Sequence, residues 1–335
     1  MNIISLFRRF RLFRKHFITF LPYLSFKKVL NIFLNEYEMK LGKSILKSYP
    51  PFIKIDPSPI CNLRCPDCKQ SNPEFKKKFN EKMTLTLDNL KKVIEPISSQ
   101  LLGVSLSLNG DPFTNKHISE LISYLHKKKI SVNFPTNFSV EFSDDEINSI
   151  ISSGLDTLYI SLDGTNEDSY KKYRVGGNFE LVKNNVIRFQ GIKRKLKTKR
   201  PNLIWKFVVF EHNRDEVELV KELYKDWHFD SYRIDLSFTS EFVRNKQKEQ
   251  GKKTSEKKKK CFWLWNTFMV LWDGTVYPCC NWNFETEIFH LGNAFENNIT
   301  DIWNSQPYRT LRQGFSKKYY ASNLQNFCKE CMGLN

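Results

Sequence analysis

Cys61, Cys65 and Cys68 fall within eight residues, in the order Cys-Asn-Leu-Arg-Cys-Pro-Asp-Cys. A loop of that length can aim three sulfurs at one metal centre. Thiolates are soft ligands that select zinc or iron–sulfur clusters. A closed structural zinc site wants four ligands, and the next His along the chain is His117. Three thiolates on a cubane of four irons leave one iron open, able to take the amino and carboxylate groups of a small molecule. The residues just before, Phe52–Asp56, read as a strand leading into this loop.

The other cysteines are Cys261, Cys279, Cys280, Cys328 and Cys331, with none between 68 and 261. A disulfide framework is dense in short secreted chains. Tight groups far apart in 335 residues read instead as metal sites in a reducing, cytoplasmic compartment. That length suits roughly two domains. The net charge of +17 reads mainly as a solvated basic surface. No recognisable nucleic-acid motif accompanies it, so no nucleic-acid partner is expected.

Residues 1–50 form a basic, helical N-terminal extension in this reading. They carry ten Lys and Arg against Glu36 and Glu38. Arg8, Arg9, Arg11, Arg14 and Lys15 interleave with Phe7, Phe10, Leu12, Phe13 and Phe17. The apolar run Phe17–Phe26 is too short to span a bilayer. Two readings stand side by side: an interfacial helix making peripheral membrane contact, or a helical extension packed on the body that follows.

Residues 51–243 alternate. Strands are expected at Phe52–Asp56, Gly103–Leu108, Ile130–Pro135, Thr157–Leu162, Leu203–Phe210 and Tyr232–Phe238. Helices are expected at Leu85–Ser98, Ile118–Lys128, Asp144–Ser152, Phe179–Phe189 and Asp215–Trp227. Six strands alternating with helices predict an α/β fold with a parallel sheet, a partial (β/α)6 TIM-type barrel. Its functional residues should gather at the strands' C-terminal ends. Residues 244–260, mostly Lys, Gln, Glu, Ser and Gly, read as a linker. Residues 261–335 read as a small cysteine-rich α+β domain, with a hairpin turn at Asp273-Gly274 and a helix over Ile299–Gly314 that Pro307 threatens to break.

The Cys61–Cys68 spacing, C-x3-C-x2-C, resembles the cluster loop of the radical S-adenosylmethionine (radical SAM) enzymes. The resemblance extends over about residues 52–240. Asn109-Gly110-Asp111-Pro112 looks like the family's GGEP motif, which meets the SAM amino group; Asp111 keeps the carboxylate on a shorter arm. Thr136-Asn137 ends the third strand where the family often has Thr-Asn-Gly, with Phe138 replacing the Gly. Ser161-Leu162-Asp163-Gly164 ends the fourth, and Arg174 follows. The resemblance implies that Gly110, Asp111, Pro112, Asn137, Ser161, Asp163 and Arg174 line the SAM site, with Arg174 pairing with the SAM carboxylate. Singly, these pairs also read as turns and caps. One departure stands out: the residue before the third cysteine is commonly aromatic, and here it is Asp67, which must turn to solvent or find a partner such as Arg64 or Lys69.

Thiolates at Cys261, Cys279, Cys328 and Cys331 would close a second four-iron cluster with no open iron. That set resembles the shortened SPASM, or twitch, domain of some radical SAM enzymes; on spacing alone, a zinc ion would fit it too. Cys280 should point to the opposite face from Cys279. It reads either as a buried spare thiol or as a hydrogen donor facing substrate.

The resemblance implies two [4Fe-4S] clusters, SAM as cosubstrate, and a low-potential electron donor of flavodoxin or ferredoxin type. The expected reaction is dehydrogenation of a sugar, cyclitol or similar small molecule, with the auxiliary cluster accepting an electron. A peptide maturase, or an epimerase using Cys280, remains open as an alternative. So does a non-catalytic zinc or nucleic-acid-binding protein.

Overall fold

The computed structural model describes residues 19–80, 82–237, 261–279, 291–315 and 328. The linker at 244–260, the basic stretch around Arg8–Lys15, Cys280 and Cys331 lie outside them. Six parallel strands form the body: β1 (Phe52–Ile55), β2 (Gly103–Ser105), β3 (Ser131–Thr136), β4 (Thr157–Ser161), β5 (Asn202–Val209) and β6 (Ser231–Leu236). They pair in chain order, and the sheet continues from β1 through β7 (Thr267–Val270) into β8 (Val276–Tyr277). The order β6-β5-β4-β3-β2-β1-β7-β8 leaves the sheet open, as expected of a partial barrel. The cysteine-bearing C-terminal region therefore adds strands to the same sheet: β7 runs parallel to β1, and β8 turns back antiparallel. The hairpin falls at Asp273-Gly274, where Gly274 has φ +89° and the Asp273 carboxylate accepts from the Thr275 N–H at 3.0 Å.

The strands show why this sheet has two unlike faces. Successive side chains of a strand point to opposite sides. In β5, Leu203, Trp205, Phe207 and Val209 are buried, whereas Asn202, Ile204, Lys206 and Val208 are half-open. The buried set meets the helices: α2 (Leu87–Ile94), α3 (Ile118–Lys127), α4 (Asp144–Ser152), α5 (Glu167–Tyr173), α6 (Phe179–Lys195) and α7 (Val217–Leu223). The half-open set lines the concave side.

Sequence boundaries were shifted by local chemistry. Pro96 cannot continue the α-helical ladder, so α2 gives way to a 3-10 turn at Glu95–Ile97. The helix expected from Asp215 begins as a 3-10 turn, Arg214–Glu216, and ends at Leu223. α6 runs six residues past Phe189 to Lys195. α5 was not anticipated, although Asn166 caps it and Glu167 and Asp168 fill its first turn, a recognised start signal. Pro307 opens a helix rather than breaking one: α8 (Ile299–Trp303) stops, and α9 (Gln306–Gly314) begins with the proline in its first turn.

Before β1, α1 (Phe26–Leu41) is capped by Ser25 and closed by Gly42 at φ 68°. It packs through polar side chains. Asn31 donates to the Tyr49 carbonyl at 3.1 Å and accepts from its N–H at 2.9 Å. Asn35 donates to Ser48 Oγ and the Trp265 carbonyl, Glu38 accepts from Lys47 and Ser48, and Lys28 donates to the Lys129 carbonyl. All these partners lie just before strands, so α1 sits at the N-terminal ends of the sheet.

Candidate active site

The cysteine loop lies at the C-terminal ends of the strands, and most of the bonds that hold it run to its backbone. The Lys76 ammonium donates to the carbonyls of Cys61 and Leu63 at 3.2 and 3.0 Å. Gln70 donates to the Pro59 carbonyl at 2.6 Å, Asn62 to the Ser139 carbonyl at 2.7 Å, and the Arg64 N–H to the Val175 carbonyl at 2.9 Å. Leu63 is buried beneath the loop. Asp67, in the family's usual aromatic position, is exposed, and its charge reaches Tyr173.

The second loop presses on the first. A Cβ on Gly110 would lie 2.2 Å from the Ser58 carbonyl oxygen and 2.3 Å from that of Ile60, so only glycine fits. Asp111 is nearly fully buried, and both its oxygens already accept bonds. Thr136 Oγ1 donates to them at 3.0 and 2.9 Å, Phe113 N–H at 3.1 Å and Asn137 N–H at 2.7 Å. The resemblance set Asp111 against an amino group; here its short arm ties the second loop to the end of β3, and Pro112 opens the 3-10 turn that follows. Asn137 in turn donates to Cys61 Sγ at 3.5 Å and Asn62 Oδ1 at 2.8 Å. Phe138, standing in for the family's glycine, keeps the glycine-like backbone at φ 57°. That geometry costs a side-chain-bearing residue about 1 kcal/mol. The Phe138 ring is buried among Phe113, Phe142 and Phe189.

At the end of β4, Ser161 is buried beside Lys206 in register. Asp163 is fully buried. Its Oδ1 accepts from the Val208 N–H at 2.8 Å and its Oδ2 from Arg174 Nε and Nη2, each at 2.6 Å. Arg174 Nη1 points at Cys65 Sγ, 3.8 Å away. Burial disfavours the Arg174 charge, but Asp163 and Cys65 more than offset that and raise its pKa. The guanidinium assigned by resemblance to a SAM carboxylate thus bridges Asp163 and the cysteine loop.

These surroundings suit a metal cluster. The Cys61 thiol is pushed up to about 12, first by burial, then by the Asp111 charge and by Cys65 and Cys68. Burial likewise raises Cys65, against the pull of Arg174. Such thiols ionise only when a cationic centre takes the thiolate. N–H donors are already aimed at the sulfurs: Leu63 N–H reaches Cys61 Sγ at 3.4 Å. Among the described residues no three His, Cys, Asp or Glu side chains converge as around a single ion; a four-iron cluster takes its thiolates on separate irons and needs no such convergence. Of the second set, Cys261, Cys279 and Cys328 are half-buried and in no disulfide; burial raises the Tyr308 phenol, and Cys279 lies close enough to add to the rise.

Sequence reasoning missed Asp56, a buried acid that touches the second loop. It is fully buried after β1 and accepts from the Asn109 N–H at 3.3 Å, while Oδ2 has no partner among the described residues. Burial raises its pKa to about 7 from an ordinary 3.8. Between those values the folded chain keeps a proton that the unfolded chain has released. This group's contribution to stability therefore falls as pH rises from about 4 to 7 and is flat above, by about 4 kcal/mol in total. Asp56→Asn cannot ionise. Its stability relative to wild type, measured by urea unfolding from pH 5 to 8, should improve as pH rises and level off above 7. Parallel pH profiles for the two proteins would contradict this.

Comparison with known proteins agrees with this layout. The family model "Radical SAM superfamily" matches residues 55–223, and an "iron-sulfur cluster-binding domain" model, SPASM, matches 261–332. A probable GTP 3',8-cyclase of Methanococcus maripaludis is 28% identical over 136 residues, 40% of this chain and 43% of that protein. A GTP 3',8-cyclase of Clostridium botulinum is 26% identical over 188 residues, 55% of this chain and 56% of that protein. The chain thus spans about half the length of the curated relatives it matches. Among solved structures, Streptococcus suis SuiB bound to S-adenosylmethionine superposes with a TM-score of 0.61 at 16% identity, covering 82% of this chain and 69% of SuiB. The anSMEcpe structure with bound AdoMet gives 0.55 at 17% identity, covering 84% and 86%. At these identities the likeness is one of fold.

Proposed function

Because the chain belongs to the radical SAM superfamily and carries an iron–sulfur cluster-binding domain after its barrel, we propose that it oxidises a small, polar, anionic molecule of the sugar or cyclitol type. Its cofactors are SAM and [4Fe-4S] clusters, one of them auxiliary in the C-terminal domain. When bound, and reduced by a low-potential flavodoxin- or ferredoxin-type donor, these groups supply a 5′-deoxyadenosyl radical that takes a hydrogen atom and an acceptor for the electron the substrate then gives up.

The observation that carries the substrate class is the concave face of the sheet. Register places Lys54, Asn133, Tyr159, Lys206, Arg233 and Asp235 on that one face. Asp235 is taken by Arg233 at 2.8 Å. Lys206 forms no ion pair among the described residues; burial and then Arg174 lower its pKa, Asp235 and Asp163 oppose the fall, and Arg233 adds to it, both carboxylates being paired with those arginines. A half-buried ammonium beside two other cations gains from an incoming carboxylate or phosphate. Relatives that act on GTP, itself an anion, support the same reading. Oxidation is preferred to epimerisation because a closed auxiliary cluster suits an electron acceptor; Cys280, the alternative hydrogen donor, lies outside the described residues. A peptide substrate is the second reading, favoured by the SuiB structure bound to precursor peptide SuiA.

The test is anaerobic reconstitution, reduction, and a screen of sugar phosphates and sugar acids beside their neutral parents. Anionic compounds should stimulate 5′-deoxyadenosine formation and give products lighter by two hydrogens. Lys206→Met should raise the substrate KM by about 10–100-fold, the worth of one charged hydrogen bond. Equal stimulation by neutral sugars, or a KM change confined to SAM, would count against the proposal.

A further inference from the structure

α1 is amphipathic with its faces exchanged. Phe26, Leu30, Phe33, Tyr37 and Leu41 recur at the three- and four-residue spacing of one helix face, yet they are 82, 57, 71, 56 and 56% exposed. Lys28, Asn31, Asn35, Glu38 and Met39 are the buried side, and the four polar ones make the hydrogen bonds described above, with Asn35 Oδ1 left without a partner among the described residues. Ile45, 54% exposed just past the helix, extends the stripe. Contiguous apolar surface of this kind marks a docking face.

The charge around the stripe indicates what docks. Lys27, Lys43 and Lys47 are exposed alongside it. Of the two acids on the helix, Glu38 is buried and Glu36 pairs with Lys40 at 3.7 Å. At the Phe26 end, a cavity of about 490 Å³ is lined by Ser25, Lys27, Lys28, Ser98, Lys128 and Lys129, among others. The cavity has room for a phosphate head group, with lysines on two sides. The residues before the described chain, 1–18, add Arg8, Arg9, Arg11, Arg14 and Lys15 and no Asp or Glu.

We propose that α1 lies on an anionic lipid surface, its apolar stripe in the acyl boundary and the lysine-lined cavity on a lipid phosphate. An apolar helix face flanked by cations is the form that interfacial helices take. No helix among the described residues is long and apolar enough to cross a membrane.

The experiment is flotation of the reconstituted full chain with vesicles of phosphatidylcholine alone or with about a third phosphatidylglycerol, a composition chosen to give a net anionic surface. The chain should float with the mixed vesicles and not with phosphatidylcholine. Leu30→Ser/Phe33→Ser should cut partitioning by at least about tenfold, and Lys27→Glu/Lys128→Glu/Lys129→Glu should remove the preference for phosphatidylglycerol. Both variants should keep the iron–sulfur absorption of the wild type, which shows that they fold. Wild type that fails to float, or stripe variants that bind as well as wild type, overturns the proposal. So does a change from dimer to monomer on gel filtration without vesicle binding, which would make a second copy the occupant. A lowered melting temperature in the stripe variants without vesicle binding would mean that part of this chain covers the stripe.

Discussion

Replacing Cys61, Cys65 and Cys68 together by alanine should abolish 5′-deoxyadenosine formation and remove about four of about eight irons per reconstituted chain. The rate should fall at least about a thousandfold, to the assay background, because the rate enhancement rests on one centre that cannot assemble without thiolates. The variant should still fold. The variant loses the contacts of Asn137 and Leu63 N–H to Cys61 Sγ and of Arg174 to Cys65 Sγ, but keeps the anchors that do not involve sulfur: Lys76 on two carbonyls, Gln70 on the Pro59 carbonyl and Arg64 N–H on Val175. Far-UV circular dichroism should therefore match wild type while iron falls by half. The companion variant, with Cys328 and Cys331 replaced, should lose the other half of the iron and keep SAM cleavage, now uncoupled from product. A triple variant with full iron, or one that still cleaves SAM, would refute the assignment of the loop. One zinc and no iron at the second set would refute the auxiliary cluster.

Asp163→Ala should cost about 3–5 kcal/mol, a large share of the roughly 5–15 kcal/mol that holds a domain together. Removing one partner of a buried pair leaves the other charged and dry. Arg174, with only 14% of its side chain exposed, would keep its charge and lose both 2.6 Å contacts, and the Val208 N–H would lose its acceptor. Asp163→Asn preserves that acceptor and should lose less. Asp163→Leu/Arg174→Met, which removes both charges, should recover much of the loss. Urea unfolding of the three variants and wild type checks the order. An Asp163→Ala midpoint equal to wild type would show that solvent reaches the pair.

The barrel was legible in the sequence because its signals are local. The six strands alternate or run apolar, and Asp-Gly marks the hairpin. Strand ends carry Asn109–Pro112, Thr136-Asn137 and Ser161–Gly164 in order. What escaped depends on partners distant in the chain. Nothing next to Asp163 indicates that it will meet Arg174 rather than leave that side chain for a ligand. Lys76 looks like one cation in a basic run until the fold brings the carbonyls of Cys61 and Leu63 to it. α1 is the sharpest case. Periodicity alone would bury Phe26, Leu30 and Phe33. The chain buries Asn31 and Asn35 instead, because Tyr49, Ser48 and Trp265 supply their hydrogen bonds.

The position of α1 at the N-terminal ends of the strands sets a direction for the whole enzyme. At about 3.3 Å per residue, the strands hold that helix roughly 15–25 Å from the cysteine loop, on the opposite side of the sheet's long axis. Whatever holds α1 cannot also feed the barrel mouth. A chain moored by this helix presents its mouth to the open solution, so substrate and reductase both arrive by diffusion from the aqueous side. The proposed mooring would then set where the product is released, and the choice of molecule would rest, on the reading proposed above, with the charged groups around Lys206.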